Sequence, residues 1–288
     1  MPSATLDRVA VVTVSYNSGG QLPAFLDSVA ALSTRPGSVV VADNASADVA
    51  ETRSLTAARG VRLVELGENA GYGAAVNAAV RALPPGVEYV LVSNPDVAMS
   101  ADALAVLVDA LDRQPAAGAV GPRILNPDGT TYPSARNLPS LRTGVGHALL
   151  GTPWPTNPWT RAYRAETQSP DRRRSVGWLS GACVLVRRRA FDEVGGFDPG
   201  YFMYFEDVDL GLRLGRAGWL NAYEPDAVVT HIGGLSTKKE SRRMVLAHHR
   251  SAERFLRRKY ASPLLAPLRW ALVAGLRLRA WVVVRRAG

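Results

Sequence analysis

Asn94-Pro95-Asp96 ends the apolar run Tyr89-Val90-Leu91-Val92-Ser93, and it is the first place where this sequence offers a ligand for a hard cation. A carboxylate such as Asp96 suits a divalent ion that takes oxygen ligands and bridges substrate phosphates, and Asn94 adds a carbonyl oxygen or a hydrogen bond. Asn-Pro-Asp is equally a common turn opener. Glu206-Asp207-Val208-Asp209 lies between aromatic residues and the apolar stretch Leu210 to Leu214. At the start of a helix these acids would complement its dipole and need no further role. Aromatic neighbours can also desolvate one carboxylate of the group and raise its pKa toward that of a useful general base. His231 closes the run Val228-Val229-Thr230. A lone histidine is commonly a hydrogen-bonded or surface group, and it becomes a metal ligand where it meets Asp96 in space. Asp43 and Asn69 sit in polar loops, and Gly71 and Gly73 allow close backbone approach to a ligand.

These residues need elements to bring them together. Val9 to Val14 is a β-branched run ending in Ser15-Tyr16-Asn17-Ser18-Gly19-Gly20. Ser38 to Ala42 ends at Asp43-Asn44-Ala45-Ser46, and Val61 to Leu66 ends at Gly67-Glu68-Asn69-Ala70-Gly71-Tyr72-Gly73. With Tyr89 to Ser93 these are four strands. Helical spacing appears between them at Leu22 to Leu32, Asp48 to Arg59 and Ala74 to Leu83. Alternating strands and helices predict an α/β fold with a mixed, mostly parallel sheet covered on both faces. Ligands bind beyond the carboxyl ends of such strands, where all four polar loops fall. The stretch from Pro115 to Gly177, rich in Pro, Gly and Arg, reads as less regular. Gly71-Tyr72-Gly73-Ala74-Ala75-Val76 lacks the last small residue of a dinucleotide fingerprint and follows a third strand rather than a first, and no Walker A pattern occurs.

Charge is unevenly spread. The chain carries +9, but residues 236–288 hold 14 Lys+Arg against two acids, leaving −3 on residues 1–235. The positive charge therefore acts through the C-terminus. Lys239 to Tyr260 reads as a helix with Arg243, Arg250, Arg254 and Arg257 on one narrow face and Met244, Val245, Ala252, Phe255 and Leu256 on the other. That face is either solvated or turned to anionic lipid head groups or a lipid diphosphate. Beyond Pro263 arginines interrupt the apolar sequence, so this segment falls short of the about 20 apolar residues of a spanning helix. Trp270 and Trp281 suit a membrane interface, and Leu264 to Val284 offers equally a packing surface for a second subunit in a homo-oligomer. One cysteine, Cys183, excludes an internal disulfide, and Met1 to Arg8 has no basic region ahead of a long apolar core. Both predict a cytoplasmic protein.

Taken in order, Thr13-Val14-Ser15-Tyr16-Asn17, Ala42 to Ser46, Asn69 to Gly73, Asn94-Pro95-Asp96, Trp178-Leu179-Ser180-Gly181-Ala182, Gly195-Gly196-Phe197-Asp198, Phe205 to Leu210 and His231 resemble the inverting family-2 glycosyltransferases of GT-A fold. The resemblance covers roughly residues 9–235. Tyr132 to Arg136, the Trp154 to Trp159 segment and Tyr201 to Tyr204 look most like the actinobacterial rhamnosyltransferases of the cell-wall linker.

This resemblance implies a glycosyltransferase domain over residues 1–235, with a nucleotide-sugar half of about 1–115 and an acceptor half of about 116–235, and a basic helical membrane-associating tail over 236–288. It implies transfer of L-rhamnose from dTDP-rhamnose to a polyprenyl-diphospho-GlcNAc acceptor at the inner face of the cell membrane. Thr13, Ser15, Asn17, Asp43, Asn44, Asn69, Gly71 and Asn94 would bind the nucleotide sugar, with Asp43 reading the base. Asp96 and His231 would hold Mg²⁺ or Mn²⁺. Asn94 stands where the family carries the first Asp of its metal motif, which removes one negative charge. Asp207 would be the general base with Glu206 beside it, and Trp178, Ser180 and Gly181 would line the acceptor side.

A nucleotidyltransferase would open with a basic, Gly-rich loop, and Ser15 to Gly20 contains no base. The rivals from other classes are nucleic-acid binding or an assembly module acting through the basic tail. The tail lacks interleaved stacking aromatics and any recognised DNA or RNA motif, so no nucleic-acid partner is expected.

Overall fold

A computed structural model of the chain describes residues 4–139, 154, 156–158, 171–233 and 242–286. Pro155, Trp159, Gly234 and Lys239 lie outside the described residues. The first half runs β1 (Ala4–Ser15), α1 (Leu22–Ala30), β2 (Thr34–Asp43), α2 (Val49–Ala58), β3 (Arg62–Glu65), α3 (Tyr72–Arg81), β4 (Tyr89–Ser93), β5 (Val97–Met99), α4 (Ala103–Arg113) and β6 (Ala117–Leu125). Then follow β7 (Thr131–Tyr132), β8 (Ala135–Arg136), β9 (Arg174–Val176), β10 (Trp178–Leu179), β11 (Cys183–Arg187), α5 (Arg188–Glu193), α6 (Glu206–Arg216), β12 (Leu220–His231), α7 (Arg242–Lys259) and α8 (Ala266–Arg286).

The main sheet has the order β3-β2-β1-β4-β11-β6-β12-β5. β1 runs parallel to β2 and β4, whereas β11 enters antiparallel between β4 and β6. Both faces are covered, which is why the strands read as unbroken apolar runs. Val9 and Val11 of β1 meet α1 and α4 through Leu22, Phe25, Leu104 and Leu107. Ala10, Val12 and Val14 of the same strand face Ala75, Val76 and Ala79 of α3 and Leu210 and Leu214 of α6.

Strand register gathers the polar loops at one sheet end. Ser15 pairs with Asp43, Thr13 with Ser93, and Ser93 with Cys183. β12 brings His231 opposite Val97, one residue beyond Asp96. The crevice falls where the strand order turns back, between β1 and β4, as in other open α/β sheets.

The region expected to be irregular begins with β6, a buried strand in the middle of the sheet. Its glycines weakened the strand signal, and packing explains them. A Cβ on Gly118 would lie 2.8 Å from the Trp219 Cβ, and one on Gly121 would lie 2.6 Å from a Leu179 methyl. Glycine in a strand commonly marks such close approach.

The tail is packed on the domain. Phe255 of α7 is buried with Tyr201, Val208 and Leu212. Ser251 donates a hydrogen bond to the Met203 carbonyl at 2.7 Å, and Arg258 reaches both Asp198 and the fully buried Asp209. Arg254, expected on the basic face, is paired with Asp198. Among the described residues no helix is long and apolar enough to cross a membrane.

Candidate active site

Three polar atoms lie buried without hydrogen-bond partners at the carboxyl ends of β1 and β2: Thr13 Oγ1, Ser15 Oγ and Asp43 Oδ2. The other Asp43 oxygen accepts the Ser46 N–H at 2.9 Å. One carboxylate oxygen thus shapes the loop and the second is left for a ligand. Buried polar groups almost always find partners, so such a cluster marks a place where a ligand supplies them.

The loops above are tied to one another. The Asn44 amide donates to Asn69 Oδ1 at 2.9 Å, the Ala70 N–H donates to Asn44 Oδ1 at 3.0 Å, and the Gly71 N–H donates to Asn69 Oδ1 at 3.2 Å. The Asn17 N–H donates to Ser46 Oγ, and its side-chain carbonyl accepts from Ala47. Gly71 has φ of +88°, and a Cβ there would run into the Phe202 carbonyl, so only glycine fits. A cavity of about 390 Å³ opens here, walled by Asn17, Asn44, Asn69, Gly71, Asn94 and Asp96 among others. Tyr16, Gln21 and Met203 also line it and were not singled out from the sequence.

At the far wall His231 Nε2 lies 3.1 Å from Asp96 Oδ1 and 3.4 Å from the Asn94 amide nitrogen. That Asp96 oxygen is buried and has no aligned hydrogen-bond donor. An imidazole nitrogen and a carboxylate oxygen therefore converge on one corner of the crevice. Among the described residues no group of three or more His, Cys, Asp or Glu is placed to hold a metal ion. The pair fits an ion whose remaining ligands are phosphate oxygens or water, the habit of Mg²⁺ and Mn²⁺.

Glu206 and Asp207 open α6 just behind Tyr72. The Gly181 N–H donates to Asp207 Oδ2 at 3.1 Å, and the Val208 N–H donates to Oδ1 at 2.8 Å. Burial raises Asp207 above the usual carboxylate range against the pull of these two donors. Burial, with the neighbouring Asp207, pushes Glu206 up to about 8, and its Oε2 has no partner. Asp207, whose charged form is hydrogen-bonded, ionises first, leaving Glu206 as the proton-bearing neighbour. Tyr204 and Phe205, immediately before, both hold left-handed backbone, at φ of 67° and 66°. The other two non-glycine residues with positive φ among those described are Asn17 and Ala45, at the opposite end of the same crevice. Backbone strain of this kind collects at functional sites.

Tyr72 joins the two ends. It lines the cavity, and its hydroxyl donates to the Gly181 carbonyl at 2.7 Å, the peptide next to the one whose N–H reaches Asp207. An aromatic residue between two glycines at a helix start was the signal for it. Ser180 and Gly181 sit at this junction. Trp178 is one strand position further out, its indole N–H bonded to the Asn137 carbonyl. A larger cavity, about 850 Å³, lies apart from this crevice between α7 and α8.

A family model described as glycosyltransferase like family 2 matches residues 7–251. The N-acetylglucosaminyl-diphospho-decaprenol L-rhamnosyltransferase of Mycobacterium tuberculosis (strain ATCC 25618 / H37Rv) is 48% identical, over 97% of this chain and 94% of its own length. The Escherichia coli (strain K12) rhamnosyltransferase WbbL is 29% identical over 61% of this chain and 64% of its own. Among solved structures, the Pyrobaculum calidifontis mannosyltransferase PcManGT in complex with GDP-Man and Mn²⁺ superposes with a TM-score of 0.58 at 19% identity, over 98% of this chain and 76% of that one. GalNAc-T7 with UDP, GalNAc and Mn²⁺ gives 0.57 at 17%, over 79% and 43%. These two likenesses identify the fold.

Proposed function

The chain belongs to the family 2 glycosyltransferases, and on that premise we propose that it transfers L-rhamnose from dTDP-rhamnose to polyprenyl-diphospho-N-acetylglucosamine, inverting the anomeric carbon. The observation that carries this reading is 48% identity across 97% of the chain to an enzyme named for that acceptor and sugar. The crevice supports it with a buried polar floor, a two-ligand metal corner and a desolvated carboxylate pair.

Asp43, Thr13 and Ser15 take the nucleoside end, and Asn17, Asn44, Asn69, Gly71 and Asn94 frame the donor. Asp96 and His231 would hold the divalent ion, Mg²⁺ or Mn²⁺. When bound, such an ion acts as a Lewis acid that neutralises charge on the departing nucleoside diphosphate. Asp207 takes the proton of the acceptor hydroxyl as that oxygen attacks the anomeric carbon from the face opposite the diphosphate. The new glycosidic bond forms as the carbon–oxygen bond to the diphosphate breaks. Glu206, neutral beside it, keeps a second negative charge away from the base. The Gly181 N–H fixes the orientation of Asp207, and Trp178, Ser180 and Gly181 line the acceptor side.

The tail supports a peripheral position on the inner face of the membrane. Its α7–α8 cleft is lined by Arg250, Arg254, Arg257 and Arg277 together with Glu253, Leu276 and Trp281; Glu253 pairs with Arg257 and Arg277, and Asp198 with Arg254, so the cleft keeps a net positive charge. Leu264, Leu268, Trp270 and Leu278 stand exposed nearby, a pairing of arginine and aromatic side chains suited to anionic head groups.

The test is incubation of the protein with dTDP-rhamnose, Mg²⁺ or Mn²⁺ and a lipid-linked GlcNAc diphosphate, followed by mass spectrometry. A product heavier by one deoxyhexose is expected, lost on chelation and restored by metal. No product, with no thermal protection by dTDP-rhamnose, would overturn the donor.

A further inference from the structure

We propose that Arg136 binds a phosphate of the acceptor beside the catalytic base. This assignment rests on the acceptor reading above. β8 and β10 form a two-residue antiparallel ribbon in which Arg136 stands opposite Trp178 and Ala135 opposite Leu179. Directly opposed residues share a face of such a pair. Ala135 and Leu179 point into the core, so Arg136 and Trp178 occupy the other face. That face is turned to α6, because a Cβ on Gly211 would lie 2.7 Å from the Trp178 Cβ. Asp207 is four residues before Gly211, on the same side of the helix. The two ribbon strands are also pinned next to the base: the Ser180 N–H donates to the Ser134 carbonyl, and the adjacent Gly181 N–H donates to Asp207.

The guanidinium is held but not consumed. Its Nε donates to the Pro133 carbonyl at 3.0 Å, which fixes the plane. Among the described residues neither η nitrogen has a hydrogen-bond partner, and no carboxylate pairs with it, Asp207 included. Its charge is nevertheless felt at Asp207, where it opposes the effect of burial. A fixed, half-buried guanidinium whose fork is open among the described residues is suited to bidentate recognition of phosphate.

The sugar hydroxyl at Asp207 is uncharged, so an arginine gains little from it. The charged part of a diphospho-linked acceptor hangs from the same sugar ring, within one ring's span of the reacting oxygen. The donor's diphosphate is the other phosphate source, and it belongs at the Asp96–His231 corner.

The experiment compares wild type, Arg136→Gln and Arg136→Lys in the full chain. The acceptors are a short-chain polyprenyl-diphospho-GlcNAc and an uncharged alkyl glycoside of GlcNAc, and donor KM is measured in parallel. Loss of a charged hydrogen-bonding partner should lower kcat/KM for the diphosphate acceptor about ten- to a hundred-fold. This loss should be at least about ten times larger than on the uncharged acceptor, with lysine restoring part of it. Geranyl diphosphate, which carries the charge without the sugar, should inhibit wild type competitively and inhibit Arg136→Gln at least about ten-fold more weakly. Equal losses on both acceptors, a loss expressed in donor KM, or unchanged inhibition by geranyl diphosphate would each overturn the assignment. A wild type that glycosylates neither acceptor would overturn the proposed function, and this assignment with it.

Discussion

At the scale of residues, the adjacent carboxyls Glu206 and Asp207 divide their work by hydrogen bonding. Asp207 holds two backbone donors and Glu206 Oε2 holds none, so a shared proton stays on Glu206. Asp207→Asn should therefore abolish transfer while dTDP-rhamnose still protects the fold in thermal melts; turnover near the wild-type rate would clear Asp207 as the base. Because burial raises Asp207, the acid limb of kcat should lie above the ordinary carboxylate range. Glu206 also carries a stability signature. Its carboxyl is pushed from 4.5 to about 8 by folding. Between those pH values the unfolded chain has lost the proton that the folded chain keeps, so stability falls as pH rises and levels off above about 8. Glu206→Gln lacks this slope. Melting curves of the two proteins should diverge between about pH 5 and about pH 8, with wild type losing more, and parallel curves would contradict the buried neutral carboxyl. Asp96, Asp207 and His231 stood out in the sequence as candidates because each closes or opens an apolar element, and the structure brings Asp96 and His231 together. Arg136 did not, since the ribbon that aims it joins segments 42 positions apart, Arg136 and Trp178.

At the scale of elements, α7 is the buttress of the strained turn that presents Asp207, the proposed base. Phe205 and Tyr204 hold left-handed backbone, and their rings lie 5.4 Å from that of His248. Phe205 also meets Phe255 at 5.6 Å. Truncating a fully buried phenylalanine costs about 3–5 kcal/mol. Phe255→Ala should therefore lower the denaturation midpoint and, at temperatures where it stays folded, depress kcat more than donor binding. Unchanged stability would mean that α7 only rests on the domain. The sequence displayed the helix and its apolar stripe but not what the stripe covers, because amphipathicity names a face and not its partner. For β6 the reverse held: its burial is deep, but Gly118 and Gly121 serve side chains from Trp219 and Leu179, which no local pattern reports.

At the scale of the whole molecule, the charge split marks two attachments rather than two independent parts. α7 faces the Tyr204–Phe205 turn on one side and α8 on the other, with Glu253 bridging Arg257 and Arg277 between them. Deleting Pro263–Gly288 removes α8 and leaves the contacts to Asp209 and Phe205 in place. That deletion should lower activity on a membrane-embedded acceptor more than on a soluble analogue, measured with the same enzyme preparation; equal losses would point to a folding or oligomer role. The buried Asp209 has a further consequence, in the order in which the chain is made. Its carboxylate is fully enclosed and shared by Arg213, four residues on, and Arg258, 49 residues on. Translation at about 5–20 residues per second puts roughly 2–10 s between these two partners. During that interval the turn bearing Asp207 lacks the helix that sets it. The emerging polypeptide thus carries Asp209 with only one of its two arginine partners, and the turn ahead of α6 reaches its folded setting only once α7 has left the ribosome.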